Sequence, residues 1–481
     1  MIDYIATLPE IFVMIMICVT LLAGVFFPKQ HPLAYYLAQF TLFMAAGLTL
    51  YCFGQLGSAS PVYVFSKTFV FDNLSVVLKM FVYLMVFITF LYSRVYNEVR
   101  KLPANEFYVL GLLSVLGMMM LISGSNLITL YLGLELFSLP TYAMVALQRE
   151  KDCCIEAAMK YFIIGSVASG FLLYGLSMIF GATQSLDISV IAQTISQLPA
   201  GHHLMLTLGL VFILAALAFK LGAAPFHQWV PDVYEGAPTS VTLFIGVAPK
   251  LAAFGMAVRL LVYMLPTLSS EWQQIIIIMA ILSMAIGNFT AIVQTNIKRM
   301  LAYSSIAHIG YMLLALACAT DEGNAAALFY MISYCVMTLG AFGVVVLLAH
   351  SESEAEDITD FAGLSTRHPW FAFVMLLLMF SMAGVPPIVG FIAKVGILEA
   401  LISVHLTWLA IVALFFAIVG AYYYLHVVKV MYFDQVPKDV LLKITVATKP
   451  YTKIVLSING IAVVLMGMFP RILFSICHSI F

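Results

Sequence analysis

The decisive stretch of this sequence runs from Leu204 to Asp232 and reads LMLTLGLVFILAALAFKLGAAPFHQWVPD. A straight helix of its 29 residues would be roughly 44 Å long, although the hydrocarbon core of a bilayer is about 30 Å thick. Pro225 lies inside the stretch, and a proline removes a helical N–H and clashes with the preceding turn. The stretch therefore predicts a membrane-spanning helix that is broken between Gly222 and Pro225.

A second stretch, from Trp370 to Ser403, has the same design. Its 34 residues would span roughly 51 Å as one helix, and they contain Gly384, Pro386 and Pro387. Breaks of this kind are tolerated at membrane depth only where the freed backbone is buried in protein or lines a wet cavity. We therefore expect two discontinuous helices that face the interior of the protein.

The composition places these two stretches in a polytopic membrane protein. Of 481 residues, 63% are hydrophobic and only 9% are charged, whereas soluble domains contain about 25% charged residues. We predict an all-α membrane fold of about fourteen transmembrane helices, with discontinuous helices seven and twelve. The spans are centred near residues 18, 43, 82, 114, 137, 167, 213, 251, 282, 308, 337, 382, 417 and 464.

The distribution of basic residues orients these spans. When the 22 Lys and Arg residues are assigned to alternate sides, thirteen fall on one side and only Lys67 and Arg471 on the other, the rest lying within spans or near their ends. Cytoplasmic loops carry the excess of Lys and Arg. We therefore expect both termini on the periplasmic side.

The broken helices also suggest an internal repeat. They lie five spans apart, and because five is odd, a second copy of a five-helix unit would be inverted, as in many transporters. We predict three N-terminal transmembrane helices at 1–105, a first repeat at 106–265 and a second, inverted repeat at 271–432. A cytoplasmic loop and the last transmembrane helix follow at 433–481.

Ionisable residues inside the spans are the candidate functional residues. Each would cost several kcal/mol facing lipid, so a membrane protein retains them mainly for transport or proton relay. Away from water a lysine releases its proton more readily, and a histidine titrates near neutrality. The candidates for proton transfer are Glu135, Lys160, Lys220, His227, Lys250, His308 and Lys394.

Several of these residues have a structural alternative. Glu135 could be a neutral, hydrogen-bonded acid, and Lys160 lies four residues after Glu156, a spacing that suits an interfacial ion pair. His227 and His308 could be satisfied core histidines. The long side chains of Lys79 and Arg259 could simply extend to the interface, and Asp72 reads as a helix cap.

Other functions are disfavoured by what the sequence contains. The net charge is −1 and the basic residues are scattered, which argues against a nucleic-acid partner. The seven cysteines form no C-x-x-C pair, so no metal or iron–sulfur site is expected. The glycine fingerprint of dinucleotide sites and the Walker A sequence are missing, so no cofactor-binding residues are assigned. A solute permease would need a polar pocket between the broken helices.

Four local sequences resemble the antiporter-like subunits of respiratory complex I. They are LGLELFSLP at 132–140, FKLGAAPFHQWVPDVYEGAP at 219–238, QTNIKRMLAYSSIAHIGY at 294–311 and AGVPPIVGFIAK at 383–394. The resemblance extends over nearly the whole chain. Of the L, M and N types of these subunits, the chain is most similar to type N, which has a lysine at the position of Lys394 and no long lateral helix.

This resemblance implies a proton-translocating subunit of a bacterial NADH:quinone oxidoreductase in the inner membrane. The family's functional glutamate falls on Glu135, and its lysines fall on Lys160, Lys220, Lys250 and Lys394. NAD, FMN, iron–sulfur clusters and quinone are then expected in other subunits of a hetero-oligomer, with no redox centre on this chain. The alternative is a subunit of a cation/proton antiporter, which shares the fold and much of the charge pattern.

Overall fold

The structure is a computed structural model, and it confirms a membrane protein that is almost entirely helical. Most of the predicted cytoplasmic loop, residues 436–448, lies outside the described residues. The structure describes residues 2–27, 32–57, 60–197, 203–348, 356–435 and 449–481.

The first half of the chain contains nine helices among its described residues and one β-hairpin. The helices are α1 (Ile2–Ala6), α2 (Leu8–Phe26), α3 (Pro32–Leu56), α4 (Asn73–Val99), α5 (Ala104–Ser123), α6 (Leu127–Val145), α7 (Asp152–Thr183), α8 (Ile188–Ile195) and α9 (His203–Leu221). The hairpin pairs β1 (Val62–Val64) with antiparallel β2 (Phe69–Phe71). Sequence analysis missed it because strands of three residues are too short to show an alternating pattern.

The regular elements in the described part of the second half are all helices. Helix α11 continues as a π-helix over Val258–Met264. The helices are α10 (Trp229–Gly236), α11 (Thr239–Ala257), α12 (Ser269–Ile292), α13 (Ile297–Leu316), α14 (Asp321–Leu348), α15 (Leu364–Arg367), α16 (Pro369–Ala383), α17 (Val389–Ser403), α18 (Thr407–Phe433), α19 (Pro450–Met468) and α20 (Arg471–His478).

Two interruptions fall where proline and glycine were noted in the sequence. Helix α9 ends at Leu221 and α10 begins at Trp229, while α16 ends at Ala383 and α17 begins at Val389. A glycine opens each interruption, Gly222 with φ of 79° and Gly384 with φ of 90°. Positive φ is the conformation that glycine adopts without the steric cost of a Cβ atom. The two glycines therefore allow the backbone to leave the helix at these points.

Twelve helices in the described part of the chain are long and apolar enough to cross a membrane. The predicted number of about fourteen stays a prediction. Helices α16 and α17 have 15 residues each, about 22 Å, so neither half of this broken span reaches across the hydrocarbon core alone.

Contacts divide the chain into two compact units. Each unit combines segments that are separate in the sequence. The division into three N-terminal helices, two five-helix repeats and a last segment stays a prediction. The first unit comprises residues up to Phe90, Pro103–Leu221 and Ala248–Ile275, and the second comprises Leu91–Leu102, Gly222–Val247 and residues from Ile276 onward.

Close helix packing in the first unit depends on glycine. A Cβ atom at Gly117 of α5 would collide with the backbone of α6, and one at Gly133 of α6 would collide with that of α5. Helices α7 and α9 approach in the same way at Gly175 and Gly209. Small residues let neighbouring membrane helices approach closely, and here they hold α9 against α7.

Helix α14 lies at the centre of the second unit. Every residue from Gly323 to Leu348 is buried, and the helix contacts α13, α16, α17, α19 and α20. Helix α10 is held against α13 by Arg299, whose guanidinium lies 3.1 Å from Asp232 and 2.6 Å from Glu235. The short segment that follows the first interruption is therefore anchored by two ion pairs.

One local arrangement occurs twice. Asn126 caps α6 and forms an isolated β-bridge with Asp187; Asn296 caps α13 and forms an equivalent bridge with Asp357. The two partners are separated by the same number of residues in both cases. Such recurrence is what a duplicated five-helix unit would produce, and the inverted arrangement of the two copies stays a prediction.

Candidate functional site

Lys220 lies in the last turn of α9, where the side chain is enclosed by the first unit. The residue is 8% exposed, and Nζ donates hydrogen bonds to Ser138 Oγ at 2.8 Å and Tyr142 Oη at 3.2 Å, both on α6. A hydroxyl can accept from an ammonium group or donate to a neutral amine. These partners can therefore satisfy both protonation states of Lys220.

The geometry of α6 explains why these hydroxyls converge on the lysine. Ser138 and Tyr142 are four residues apart, so they share one helix face. Gly165 of α7 leaves room for the Tyr142 hydroxyl, because a Cβ atom there would collide with it. Sequence analysis missed both hydroxyls, although their spacing from Glu135 places all three on one face of α6.

Glu135 lies on α6 one turn before Ser138. Its Oε1 is buried and has no hydrogen-bond partner among the described residues, and the carboxylate attracts the Lys220 ammonium electrostatically. Two predicted site residues, Glu135 and Lys220, thus lie within electrostatic reach of each other, and Ser138 of the same helix as Glu135 bonds to the lysine.

Lys160 has a different environment. Its Nζ lies 2.8 Å from Glu156 on the same helix, and its side chain is 43% exposed. This is the geometry of the interfacial ion pair that its spacing allowed, and such exposed pairs contribute little to stability. Its role in proton transfer stays a prediction.

His227 lies in the interruption between α9 and α10. The imidazole bonds to the backbone of Pro225, and Nδ1 is buried with no hydrogen-bond partner in the described part of the chain. The Ala224 N–H, which no helix satisfies, donates to Ser283 Oγ at 2.8 Å. The break is thus stabilised by protein contacts, and it leaves one buried ring nitrogen of His227 without a partner among the described residues.

Lys250 lies in α11, where it is 2% exposed. The most apolar part of this helix is entirely buried. The amino group of Lys250 is therefore enclosed by protein, and its role in proton transfer stays a prediction.

Lys394 lies in the second turn of α17 and contacts the end of α16. Its Nζ donates to the carbonyls of Met382 at 3.1 Å and Ala383 at 2.9 Å. The last carbonyls of a helix lack intrahelical partners and carry its partial negative charge. The lysine is therefore held by the backbone that the second interruption leaves unpaired.

His308 of α13 is 4% exposed and bonded on both sides of its ring. Nδ1 lies 2.7 Å from Tyr330 Oη, and Nε2 lies 3.0 Å from Tyr424 Oη. The structure thus places this predicted site residue among tyrosines of the second unit that sequence analysis did not single out.

Two buried cations that we read as possible interfacial side chains are ion-paired instead. The Lys79 Nζ lies 2.5 Å from Glu10 Oε1. The Arg259 guanidinium forms two hydrogen bonds with Asp72, at 2.6 and 2.8 Å. Each of these cations thus has a carboxylate partner that the sequence did not indicate, and extension toward the interface stays a prediction. Sequence spacing could not reveal either pair, because the partners are far apart in the chain.

Comparison with known proteins adds to this geometry. Residues 124–420 match the family described as NADH:quinone oxidoreductase/Mrp antiporter, TM. The chain is 60% identical over 479 residues to NADH-quinone oxidoreductase subunit N of Coxiella burnetii, a match that covers 100% of this chain and 99% of that protein. It is 51% identical over 480 residues to the protein of the same name from Thioalkalivibrio sulfidiphilus, covering 98% and 97%.

A solved structure shows the same fold. One chain of the respiratory complex I from Thermus thermophilus with bound Aureothin matches with a TM-score of 0.81 and 28% sequence identity. The match covers 97% of this chain and 98% of that chain.

Proposed function

The chain belongs to the NADH:quinone oxidoreductase/Mrp antiporter transmembrane family, and from this premise we propose that it is a proton-translocating membrane subunit of respiratory complex I, of the type its relatives name subunit N. Its partners are the other membrane subunits of a hetero-oligomer in a bacterial inner membrane. NAD, FMN, iron–sulfur clusters and quinone belong to other subunits. Both termini lie on the periplasmic side.

The observation that carries this proposal is the environment of Lys220. Its amino group is buried, bonded to two neutral hydroxyls and attracted by Glu135. Moving the carboxylate away removes an attraction that only the charged lysine feels, and so favours release of the proton. A conformational change that alters this one separation is therefore sufficient to drive a proton step.

The proposed route uses the remaining candidates in order. Protons enter from the cytoplasm at Lys220, with Lys160 as a further partner of Glu135. They pass to Lys250 by way of His227 and water, and leave by Lys394. The amino and imidazole groups along this route exchange protons without a bound metal or organic cofactor.

The alternative function is cation/proton exchange without coupling to NADH. Lysine side chains cannot ligate a sodium ion while they are protonated, because an ammonium group is only a donor. The candidate residues therefore suit proton transfer better than sodium binding. The two functions also differ in their energy source, which makes them separable by experiment.

The test compares Lys220→Ala with the native chain in inverted membrane vesicles that contain the whole complex. NADH-driven acidification of the vesicle lumen and quinone reduction are followed together. We expect both to fall, because the alanine methyl group has no lone pair that can bind the proton. Lys429→Ala is the matched control, since that lysine is 61% exposed and pairs with Asp434 outside the route.

Two results would overturn the proposal. One is native acidification and native NADH oxidation in assembled Lys220→Ala complex. The other is an unchanged NADH-driven activity together with loss of a sodium-dependent proton flux, which would make the chain an antiporter subunit.

A further inference from the structure

A crevice opens in the first unit between the ends of three helices. Helix α2 ends at Phe26, α5 begins at Ala104 and α6 ends at Val145. Two membrane-spanning helices, α3 and α4, separate α2 from α5, so these three ends lie on the same side of the membrane. The cavity between them has a volume of about 580 Å³. Small-molecule sites occupy roughly 300–1,000 Å³, so the crevice is large enough to hold a ligand.

The walls of this crevice change from polar to apolar with depth. Asn105 and Glu106 lie in the first turn of α5, and Arg149 follows the end of α6. One turn further into the membrane, the wall is formed by Val109 and Leu110 of α5, together with apolar residues of α2 and α6. A ligand that matches this order has a polar head at the membrane surface and a hydrocarbon tail. This is the chemistry of a phospholipid.

The polar groups at the mouth have opposite charges that are not used within the protein. Glu106 and Arg149 are both exposed, and neither forms an ion pair or a side-chain hydrogen bond with another described residue. Asn105 donates from Nδ2 to the Gly24 carbonyl at 3.4 Å, which leaves its Oδ1 as an acceptor. A guanidinium group binds phosphate in a bidentate manner, whereas carboxylate and amide oxygens accept from an ammonium group. The mouth is therefore complementary to a headgroup that carries both charges.

An apolar face of α2 continues from the crevice into the membrane. Leu21 and Val25 line the cavity, and Cys18 and Met14 precede them at spacings of three and four residues. Residues at these spacings lie on one side of a helix. All four side chains are exposed. An acyl chain that leaves the crevice can thus lie along this face without meeting a charged group.

We propose that the crevice between α2, α5 and α6 binds phosphatidylethanolamine, a phospholipid with a phosphate and a primary ammonium group. Arg149 binds the phosphate, Glu106 and Asn105 Oδ1 accept hydrogen bonds from the ammonium group, and the acyl chains lie against α2 and α5. This inference goes beyond the proposed function, because it concerns a lipid and no proton step depends on it.

The headgroup chemistry makes the site selective. Phosphatidylglycerol has the phosphate but no ammonium group, so it leaves the Glu106 carboxylate uncompensated next to an anionic lipid. Phosphatidylcholine has a quaternary ammonium group, which has no N–H to donate to Glu106 or Asn105. Both lipids should therefore bind more weakly than phosphatidylethanolamine.

The experiment uses the chain purified in detergent together with its partner subunits. The probe is phosphatidylethanolamine with a photoreactive diazirine in one acyl chain, and crosslinked peptides are located by mass spectrometry. Unlabelled phosphatidylethanolamine, phosphatidylglycerol, phosphatidylcholine and inorganic phosphate are the competitors. We expect crosslinks on α2 and α5, with phosphatidylethanolamine competing about tenfold better than the other three, the equivalent of one hydrogen bond to a charged group.

Two variants test the assigned contacts. Arg149→Gln should weaken binding of all three phospholipids about tenfold, because each has a phosphate. Glu106→Gln should weaken binding of phosphatidylethanolamine alone and should improve binding of phosphatidylglycerol, because the carboxylate no longer repels an anionic lipid. The matched controls are Glu322→Gln and Arg471→Gln, exposed residues in the first turns of α14 and α20, which should bind lipid like the native chain.

Three results would overturn this site. They are crosslinks that fall outside α2, α5 and α6 or are missing, equal competition by phosphatidylglycerol or inorganic phosphate, and an unchanged lipid preference in Glu106→Gln. A partner subunit that covers the crevice would give the first result. If a variant fails to assemble, competition on the native chain decides. Because the measurement is lipid binding, its failure leaves the proposed function standing, and loss of pumping in Lys220→Ala tests that function separately.

Discussion

The ion pair between Glu10 and Lys79 offers the most direct test of how this chain stabilises buried charge. Glu10 lies in the first turn of α2 and Lys79 lies in α4, and their side chains are 9% and 0% exposed. The Lys79 ammonium also lies 4.8 Å from the ring centroid of Phe69. Removing one partner leaves the other charge buried without compensation, which costs about 3–5 kcal/mol.

The perturbation is therefore a double-mutant cycle of Glu10→Leu and Lys79→Met. Each single variant should lose about 3–5 kcal/mol, a large fraction of the 5–15 kcal/mol that is typical of a folded domain. The double variant removes both charges and keeps apolar volume, so it should be close to the native chain or more stable. The measurements are the amount of assembled chain in membranes and the midpoint of thermal unfolding of the purified complex. A double variant as unstable as the worse single variant would refute this reasoning.

Two further predictions concern the first unit. Burial raises the pKa of Asp72, but the charge and hydrogen bonds of Arg259 lower it more, so its pKa lies below the ordinary value. This stabilisation is complete above about pH 4, where an unfolded aspartate is ionised, and it is lost as the pH falls through the folded pKa. The midpoint of thermal unfolding should therefore fall more steeply in acid for the native chain than for Asp72→Asn, and parallel curves would contradict the assignment. Gly165→Ala should displace the Tyr142 hydroxyl and slow acidification about fivefold, whereas Gly170→Ala on the same helix, where a Cβ atom meets open space, should pump normally.

Buried charges and helix breaks were predictable from the sequence. Lys220 and Lys250 stand out because a charge in an apolar span is expensive, and Pro225 signals a break because it cannot donate a helical hydrogen bond. The prediction of an all-helical membrane protein is confirmed apart from one short hairpin.

Partners that depend on packing could not be predicted in the same way. Hydroxyls such as Ser138 are common in membrane helices, and only the approach of α9 to α6 makes this one a ligand of a lysine. The Asp72–Arg259 pair joins residues 187 positions apart. A single sequence does not reveal such a contact. Taken alone, Asp72 is consistent with a helix cap and Arg259 with an interfacial side chain.

Lys220, at the start of the proposed route, and Lys394, at its end, are held by different kinds of acceptor. This difference affects how each amino group binds a proton. Lys220 bonds to side-chain hydroxyls, which can rotate to donate once the amine is neutral. Lys394 bonds to the main-chain carbonyls of Met382 and Ala383, which can only accept. A neutral Lys394 can therefore keep its two N–H bonds to these carbonyls. Its nitrogen lone pair then accepts a proton only from a donor other than these carbonyls. Lys220 therefore keeps hydroxyl partners in both protonation states, whereas the carbonyls around Lys394 hold its N–H groups but cannot donate to its neutral amine.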